Sequence, residues 1–297
     1  MKTQQRYSEA MFMFFVLSVI LLFIGVNSYG VIQISSIDEL QKIGNDAGYP
    51  LNGEYELTQD IDASDTINWN DGAGFAPIGN NANPFTGVFD GKGYKIQNLY
   101  INRPGQSYVG LFGYVDSSGQ VKNIGVENVQ VVGGSSVGGL VGYNKNGMVM
   151  QSYSTGSVVG GISVGGLVGC NRGLSTVTQS YSTGSVVGNG SYIGGLAGVN
   201  NGTITQSYAT GSVEGVNSGS FGVGGLVGYN YGTVTQSYST GSVSGGDLVG
   251  GLIGLDYGGT ITNSYWDTEM SGQSSSAGGE GKTTAEMKQQ ATFVGWD

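Results

Sequence analysis

The chain has 297 residues, of which 57 are glycine, and a formal net charge of −10 at neutral pH. An acidic chain is repelled by the phosphates of nucleic acids and by anionic membrane surfaces, so neither is an expected partner. With no histidine and a single cysteine, the chain excludes an internal disulfide, a His-Glu-x-x-His zinc site and a Ser-His or Cys-His nucleophile pair.

The N-terminus has the pattern of a secretory signal peptide. Two basic residues precede an apolar run over residues 11–26, and the small or turn-forming residues Ser28 and Gly30 follow it. We assign residues 1–30 to a signal peptide and predict a secreted or cell-surface protein. The alternative is an uncleaved anchor, because the run is long for a signal core and short for a membrane span.

Residues 31–105 are predicted to form a cap and the first coils of a solenoid. Ser36 and Glu39 have the spacing of a capping box, which opens a short helix with Ile37, Leu40 and Ile43 on one side. This helix is expected to close the N-terminal end, where the first coil would otherwise expose an unpaired strand edge.

The same coils hold the candidates for carboxylate chemistry. Glycosidases use two acids at a defined separation, so one hypothesis is a carbohydrate-active enzyme, either a polysaccharide lyase or a hydrolase. The other interpretation is that these aspartates end strands and occupy turns. They match no spaced metal-binding loop, so we predict no metal and no cofactor. The candidates are Asp60, Asp62, Asp65, Asp71 and Asp90.

Residues 106–270 contain one sequence motif that recurs at nearly regular intervals. Five tyrosines each end a Val/Ile-x-Gln/Asn-Ser-Tyr stretch, at intervals of 27 to 30 residues. A period of this size indicates a solenoid, whose turns bury their apolar faces only by stacking. Short alternating strands and glycine corners predict an all-β fold, a parallel β-helix with turns of 27–30 residues. The tyrosines are Tyr153, Tyr181, Tyr208, Tyr238 and Tyr265.

Strand alternation predicts which side chains face the core. Val177, Gln179 and Tyr181 share one face, which we assign to the interior, and the intervening Ser and Thr residues face outward. The glutamines of successive turns would then stack as an amide ladder. The next apolar residue after each tyrosine follows at an odd spacing, which in a regular strand would place it on the opposite face from the tyrosine. The glycine three residues beyond the tyrosine is therefore predicted to bend the chain and bring both residues to the same face.

The outward hydroxyl face could bind glycan or ice. Equally, it could be a solvated sheet surface on which small polar residues prevent aggregation. The aromatic row could likewise be core stacking or a sugar platform. The predicted hydroxyl rows are Thr178, Thr205, Thr235 and Thr262 beside Ser180, Ser207, Ser237 and Ser264.

A second segment of constant length reads Val-Gly-Gly-Leu-Val-Gly. Its apolar residues occupy both odd and even positions of the segment, so strand alternation does not show which face points into the core. The segment resembles the GLUG-motif family, named for Gly-Leu-hydrophobic-Gly, and the resemblance covers roughly residues 31–297. The matching quartets occupy residues 139–142, 166–169, 195–198, 225–228 and 251–254, with an earlier variant at 110–113.

The resemblance implies a bacterial surface protein. Members include adhesin-like proteins and some IgA-specific metallopeptidases, but a chain without histidine does not inherit the peptidase site. Cys170 stands where other repeats have Tyr143, Val199, Tyr229 or Leu255, so we interpret it as a small apolar substitute.

Two joints separate the constant segments. One is an Asn-x-Gly type turn, in which both residue types tolerate positive φ. The other varies in length and is longest between Val213 and Val223. Variation confined to one corner marks the edge where solenoids carry recognition loops, so we predict that glycan or a host or matrix protein binds at these exposed loops.

Residues 271–297 read as a Gly/Ser-rich linker and the start of a C-terminal segment. Thr283 and Glu286 suggest a further short helix. Family members continue beyond a similar Gly-Trp-Asp, which leaves open whether the chain is complete or truncated. The sequence thus predicts an exported, non-catalytic, adhesin-like binding or stalk module, without specifying its ligand or oligomeric state.

Overall fold

The computed structural model describes residues 30–217 and 219–296. The signal-peptide assignment lies outside the described residues except for Gly30. Within them, parallel strands form four sheets that wind into a β-solenoid, which confirms the predicted fold class. Two short α-helices occupy Ile37–Lys42 and Thr268–Ser271, and 3₁₀ helices occupy Ser64–Asn68, Asn70–Gly72, Glu286–Lys288 and Gln290–Thr292.

Two of the sheets are named here for the side chains on their outer faces. The threonine sheet contains Ile32–Ile34, Glu54–Leu57, Val88–Asp90, Gln120–Lys122, Met148–Met150, Thr176–Thr178, Thr203–Thr205, Thr233–Thr235 and Thr260–Thr262. The tyrosine sheet contains Ile61–Asp62, Lys95–Gln97, Tyr100–Arg103, Gly125–Gly133, Tyr153–Gly160, Tyr181–Ser182, Ser185–Gly188, Tyr208–Ala209, Val213–Gly215, Tyr238–Ser239, Val243–Ser244, Tyr265–Asp267 and Glu280–Lys282.

The other two sheets flank the Gly-Leu-x-Gly corner. The valine–glycine sheet contains Ser135–Gly138, Ile162–Gly165, Ile193–Gly194, Phe221–Gly224 and Asp247–Gly250. The asparagine sheet contains Phe112–Val115, Val141–Lys145, Val168–Arg172, Ala197–Asn200, Val227–Asn230 and Ile253–Asp256.

The core consists of like side chains stacked in register from coil to coil. In the threonine sheet, Val149, Val177, Ile204 and Val234 align directly and are completely buried. Burying one such side chain contributes about 1.5–3 kcal/mol relative to leaving it in water. Because each coil supplies only a few of these side chains, the core becomes continuous only through stacking.

The predicted interior position of the tyrosines is wrong. Val177 is buried as expected, but Tyr181 is half-exposed while Ser180 and Ser182 are buried. The cause is Gln179, whose backbone lies in the left-handed region at φ 50° and turns the chain through a corner. Alternation resumes beyond the corner in the opposite phase. Equivalent corners occur at Asn123, Gln151, Gln206, Gln236 and Asn263.

The buried serines hold these corners together. Ser207 Oγ donates to the carbonyl of Thr205 at 2.8 Å and accepts the backbone N–H of Ser180, one coil away, at 3.2 Å. The same pair of bonds repeats at Ser180 and Ser237. The predicted hydroxyl face is therefore divided: its serines form a buried ladder, and only its threonines lie outside.

A second threonine column completes the outer face of the threonine sheet. Strand pairing aligns Thr176 with Thr203, and the column continues at Thr233 and Thr260. These threonines are two residues before the predicted row, so strand alternation places both columns on the same face.

The glycines after the tyrosines do not reset the alternation, contrary to expectation, because the corner already does so. Gly184, Gly211 and Gly241 instead lie where neighbouring coils approach closely, so that a Cβ atom on Gly211 would stand 1.8 Å from the carbonyl oxygen of Gly184. Real Cβ atoms do not approach backbone this closely, so close packing of coils requires glycine here.

The structure also assigns the Gly-Leu-x-Gly segment. Leu167 and its equivalents are completely buried. A Cβ atom on Gly166 would meet Ser182 Oγ at 2.1 Å across the narrow core, and one on Gly169 would meet the backbone N of Val137 at 2.5 Å. The leucine therefore fills the interior, while the flanking glycines allow sheets and coils to approach closely.

The N-terminal helix caps the solenoid as predicted. Ser36 Oγ accepts the N–H of Glu39 at 3.2 Å, and Ile37, Leu40 and Ile43 are buried. The Glu39 carboxylate accepts the N–H of Ser35 at 2.7 Å, one residue earlier than in a standard capping box.

The C-terminal residues lie on the last coils. Glu280–Lys282 pair with Tyr265–Asp267, so part of the segment expected to be a linker extends the tyrosine sheet. Further along, the Glu286 carboxylate accepts the N–H of Thr283 at 2.8 Å, and the short helix expected there is the 3₁₀ helix Glu286–Lys288.

Candidate binding surface

The tyrosines form an external ladder along the solenoid axis. Tyr153, Tyr181, Tyr208 and Tyr238 stack with ring centroids 4.7 to 5.0 Å apart and planes within 7° of parallel. Such aromatic pairs contribute about 0.5–1.5 kcal/mol each beyond their burial. Because neighbours cover the ring faces inside the ladder, it presents ring edges and phenol groups to solvent.

Burial raises the pKa of these phenols. It raises the pKa of Tyr208 to about 12, with Tyr238 and Tyr181 adding to the effect. Burial also raises the pKa of Tyr153, whose hydroxyl donates to Glu127 at 2.7 Å. That bond is the largest cause of the lowered pKa of Glu127, which also contacts Lys95 Nζ at 3.0 Å.

A row of glutamines runs beside the tyrosine ladder. Gln151, Gln179 and Gln206 are exposed at the left-handed corners. Among the described residues no hydrogen bond joins one glutamine side chain to the next, so the predicted glutamine ladder is wrong. The corner directs these amides outward rather than along a strand face. We call this double row, residues 151–153, 179–181, 206–208 and 236–238, the Tyr–Gln corner.

The amide ladder exists at the asparagine turn instead. Asn144, Asn171, Asn200 and Asn230 are completely buried. Each side-chain amide donates to the next carbonyl at 2.9 to 3.0 Å, and Asn230 donates to Asp256 at 2.7 Å. From the sequence, the Asn-x-Gly pattern predicted only a turn at these positions, so the hydrogen-bonded ladder was missed.

Two cavities open onto the Tyr–Gln corner. One of about 480 Å³ adjoins Gln151, Tyr153, Asp90 and Lys92. The other, of about 240 Å³, is lined by Gln179, Gln206, Ser207, Tyr208, Gln236, Tyr238 and Trp296, all of them uncharged. The corner is therefore a recessed surface with amides and phenols along it.

The C-terminal residues cover the last coils of this corner. Trp296 Nε1 donates to the carbonyl of Asn263 at 3.0 Å, and the Gln236 amide donates to the carbonyl of Gly295. The indole lies 6.0 Å from the Tyr238 ring, tilted by 38°. Trp296 also lines a third cavity of about 600 Å³ together with Phe293, Met287 and Tyr238, so open space adjoins the indole in two cavities.

Three of the five carboxylates considered for catalysis, those of Asp60, Asp62 and Asp90, accept local hydrogen bonds. Asp62 accepts hydrogen bonds from Asn98 and from the N–H of Ser64, and these bonds, the one from Asn98 first, lower its pKa. Asp60 accepts the N–H of Lys95 at 3.1 Å.

At Asp90, burial acts to raise the pKa, but hydrogen bonds from Asn123 and from the N–H of Lys92 outweigh it, so the pKa falls. Asp65 and Asp71 lie in the 3₁₀ helices and are exposed. Each of the five aspartates thus lies at a turn, a strand end or a 3₁₀ helix.

The middle of the longest variable joint is exposed, as predicted, while its ends Val213 and Val223 are buried. Val216 is 50% exposed, and Phe221 is 38% exposed and lies 6.2 Å from Tyr192. Cys170, by contrast, is buried in register with Tyr143 and Val199, which confirms its interpretation as an apolar substitute. Burial raises the pKa of its thiol to about 12.

Residues 30–217 and 219–296 lack two features. They contain no cluster of three or more Cys, Asp and Glu side chains placed to hold a metal ion. In the same ranges no helix has the length and apolar character needed to cross a membrane.

Comparison with known proteins found the following similarities. Over 131 residues, 42% of this chain, it is 45% identical to halomucin of Haloquadratum walsbyi. Over 93 residues, 30% of the chain, it is 40% identical to a protein of Evansella cellulosilytica provisionally named a Gly-rich membrane protein. These matches span 1% and 11% of the lengths of the two relatives.

The fold resembles a solved structure. A Bacteroides ovatus protein, provisionally described as an immunoglobulin A1 protease, superposes with a TM-score of 0.71 over 91% of this chain and 89% of its own. At 21% identity this likeness concerns the fold alone. The family model described as the GLUG motif matches residues 133–159, 189–214 and 219–244, each containing one Gly-Leu-x-Gly corner. Residues 133–159, 189–214 and 219–244 are therefore GLUG motifs, and the chain is similar over these ranges to GLUG-motif repeat proteins.

Proposed function

We propose that the chain is an exported, non-catalytic repeat protein of the cell surface, acting as an adhesin-like binding or stalk module. The observation that carries this proposal is the continuity of the buried Ser and Asn ladders through successive coils. Hydrogen bonds that cross every coil boundary couple neighbouring coils. A stack coupled in this way resists bending and can display a surface at a distance from its attachment point.

The outer faces support a role in binding. The threonine columns, the exposed glutamines and the exposed joint residues Val216, Asn217 and Phe221 lie on the outside of the coils. Identical groups repeated at each coil suit a repetitive or multivalent partner. The names of the two relatives, a halomucin and a Gly-rich membrane protein, support a surface location, as does the signal-peptide pattern.

Localisation and binding assays test the proposal. Protease treatment of intact source cells should remove the protein, whereas a cytosolic control protein survives. The purified protein should bind at least one ligand on a glycan array or a panel of host matrix proteins.

Absence of binding, together with polysaccharide cleavage that is lost in Asp90→Asn, would replace this proposal with the enzyme hypothesis. Asp60→Asn provides a second test of that hypothesis, and Asp247→Asn, outside the N-terminal coils, is the matched control.

A further inference from the structure

We infer that the Tyr–Gln corner, together with Trp296, binds a neutral linear polysaccharide lying along the solenoid axis. The inference rests on the proposed binding function and assigns it a site and a ligand class. Three properties of the corner carry it: its hydrogen-bonding groups, its repeat distance and the uncharged lining of its cavity between Gln179 and Trp296.

The hydrogen-bonding groups suit a sugar chain. The side-chain amides of Gln151, Gln179 and Gln206 are exposed and make no side-chain hydrogen bond to the protein within the described ranges. Each amide offers two donors and one acceptor in a plane, which matches the adjacent hydroxyls of a pyranose. The neighbouring phenols of Tyr181 and Tyr208 add one donor and acceptor per coil, whereas the Tyr153 hydroxyl donates to Glu127.

The repeat distance selects the type of polymer. Amides and phenols recur once per coil, and the ring centroids mark that step as 4.7 to 5.0 Å. A chain of pyranose rings advances by a similar length per ring, so successive sugars meet equivalent groups on successive coils. An extended peptide advances by about 3.3 Å per residue, and its two-residue side-chain period of about 6.6 Å loses register after one coil.

Trp296 supplies the apolar contact that the ladder itself does not. Inside the ladder each ring face is covered by a neighbour, whereas the indole is tilted 38° from Tyr238 and borders cavities of about 240 and 600 Å³. An aromatic ring beside convergent polar groups is the usual composition of a small-molecule site. We therefore assign stacking on the sugar to Trp296 and register along the chain to the glutamines.

The uncharged part of the corner, from Gln179 to Trp296, favours a neutral ligand, whereas the cavity beside Gln151 also contains Asp90 and Lys92. The cavity between Gln179 and Trp296 has only uncharged lining residues. Carboxylates or sulfates on a polymer would lose hydration there without gaining a counter-charge. Affinity should consequently change little with salt concentration, unlike that of a polyanion on a basic surface.

Calorimetry with defined hexasaccharides tests the inference. The probes are cellohexaose, chitohexaose and mannohexaose as neutral chains and a heparin hexasaccharide as the charged one. At least one neutral chain should bind, with a similar Kd in low and high salt. Trp296→Ala should weaken that binding at least about tenfold, and Gln206→Ala about threefold, since an aromatic anchor usually exceeds 1 kcal/mol. Tyr257→Ala, an exposed aromatic at the asparagine turn, is the matched control and should leave the Kd unchanged.

Different failures separate the two proposals. Binding to a matrix protein or to heparin, with none to the neutral hexasaccharides, overturns the inference and leaves the adhesin-like function standing. Neutral-glycan binding that survives both Trp296→Ala and Gln206→Ala overturns the site assignment. Failure to bind any glycan or matrix protein removes the proposed function and the inference together.

Discussion

Replacing an asparagine in the middle of the buried ladder should destabilise the protein far more than replacing the one at its start. Asn200 accepts from Asn171 at 3.0 Å and donates to Asn230 at 2.9 Å and to the carbonyl of Thr233 at 3.2 Å. Asn200→Val removes these three bonds and a fourth, accepted from the N–H of Gly202. The Asn171 amide loses one acceptor and keeps the carbonyl of Thr203 at 3.3 Å. Asn230 Oδ1 then has no donor, although this side chain is completely buried.

The magnitude follows from counting the groups left unpaired. A buried acceptor without a partner costs about 1–3 kcal/mol. The N–H of Gly202, which donates to Asn200 Oδ1 at 3.3 Å, also loses its partner but is half-exposed. We expect Asn200→Val to lower the free energy of unfolding by about 2–4 kcal/mol.

The same substitution at the start of the ladder is the control. Asn144 Oδ1 already lacks a hydrogen-bond partner, and Val115 occupies the aligned position of the preceding coil. Asn144→Val removes the unpaired Oδ1 of Asn144. It also leaves Asn171 Oδ1 unpaired, because the only described donor to that oxygen is the Asn144 amide. The number of unpaired groups is unchanged, so the expected loss is below about 1 kcal/mol.

Urea unfolding followed by circular dichroism and tryptophan fluorescence measures both variants. The difference should appear in the midpoint with an unchanged slope, because the surface exposed on unfolding is the same. Equal destabilisation of the two variants would refute the reasoning, since it would show that position in the ladder does not matter.

Three further predictions concern the coil itself. Ser207→Ala should cost about 1–3 kcal/mol in urea unfolding, because the buried N–H of Ser180 loses its acceptor; a loss below 0.5 kcal/mol would contradict the serine ladder. Gly211→Ala should cost about 3 kcal/mol because its Cβ would meet a backbone carbonyl at 1.8 Å, whereas Gly105→Ala, which has open space, should be neutral; equal effects would contradict the packing account. Burial raises the pKa of Tyr208 to about 12 in the folded protein, compared with about 10 in the unfolded chain. The stability that this shift contributes is therefore present below about pH 10 and is lost as the pH rises towards about 12. The urea midpoint measured against pH should fall over this range, and it should fall less in Tyr208→Phe.

The alternating pattern identified the strands but assigned the wrong phase beyond the corner. Gln179 adopts a left-handed conformation that is unfavourable for a residue with a side chain, by about 1–2 kcal/mol. Ser180 and Ser207, which bond across coils beside this corner, offset that cost. These bonds exist only between stacked coils, so no single repeat reveals them.

The candidate site was only partly visible in the sequence. The exposed variable joint was predicted from its length, and Val216 and Phe221 are indeed at the surface. The Tyr–Gln corner was missed because both residue types had been assigned to the interior. Trp296, which contacts Tyr238 and Tyr265, lies 31 or more residues from both, and no periodic pattern connects it with them.

The sequence by itself determined the repeat, the solenoid, the capping helix at Ile37–Lys42 and the apolar slot of Cys170, because these depend on period, local capping and residue size. Only the tertiary structure decided which residues form the buried ladders and which face solvent. Serine, asparagine and glutamine can each bond to water, to their own turn or to the next coil. The choice depends on which groups the neighbouring coil brings within hydrogen-bonding distance, and that is fixed only when the coils stack.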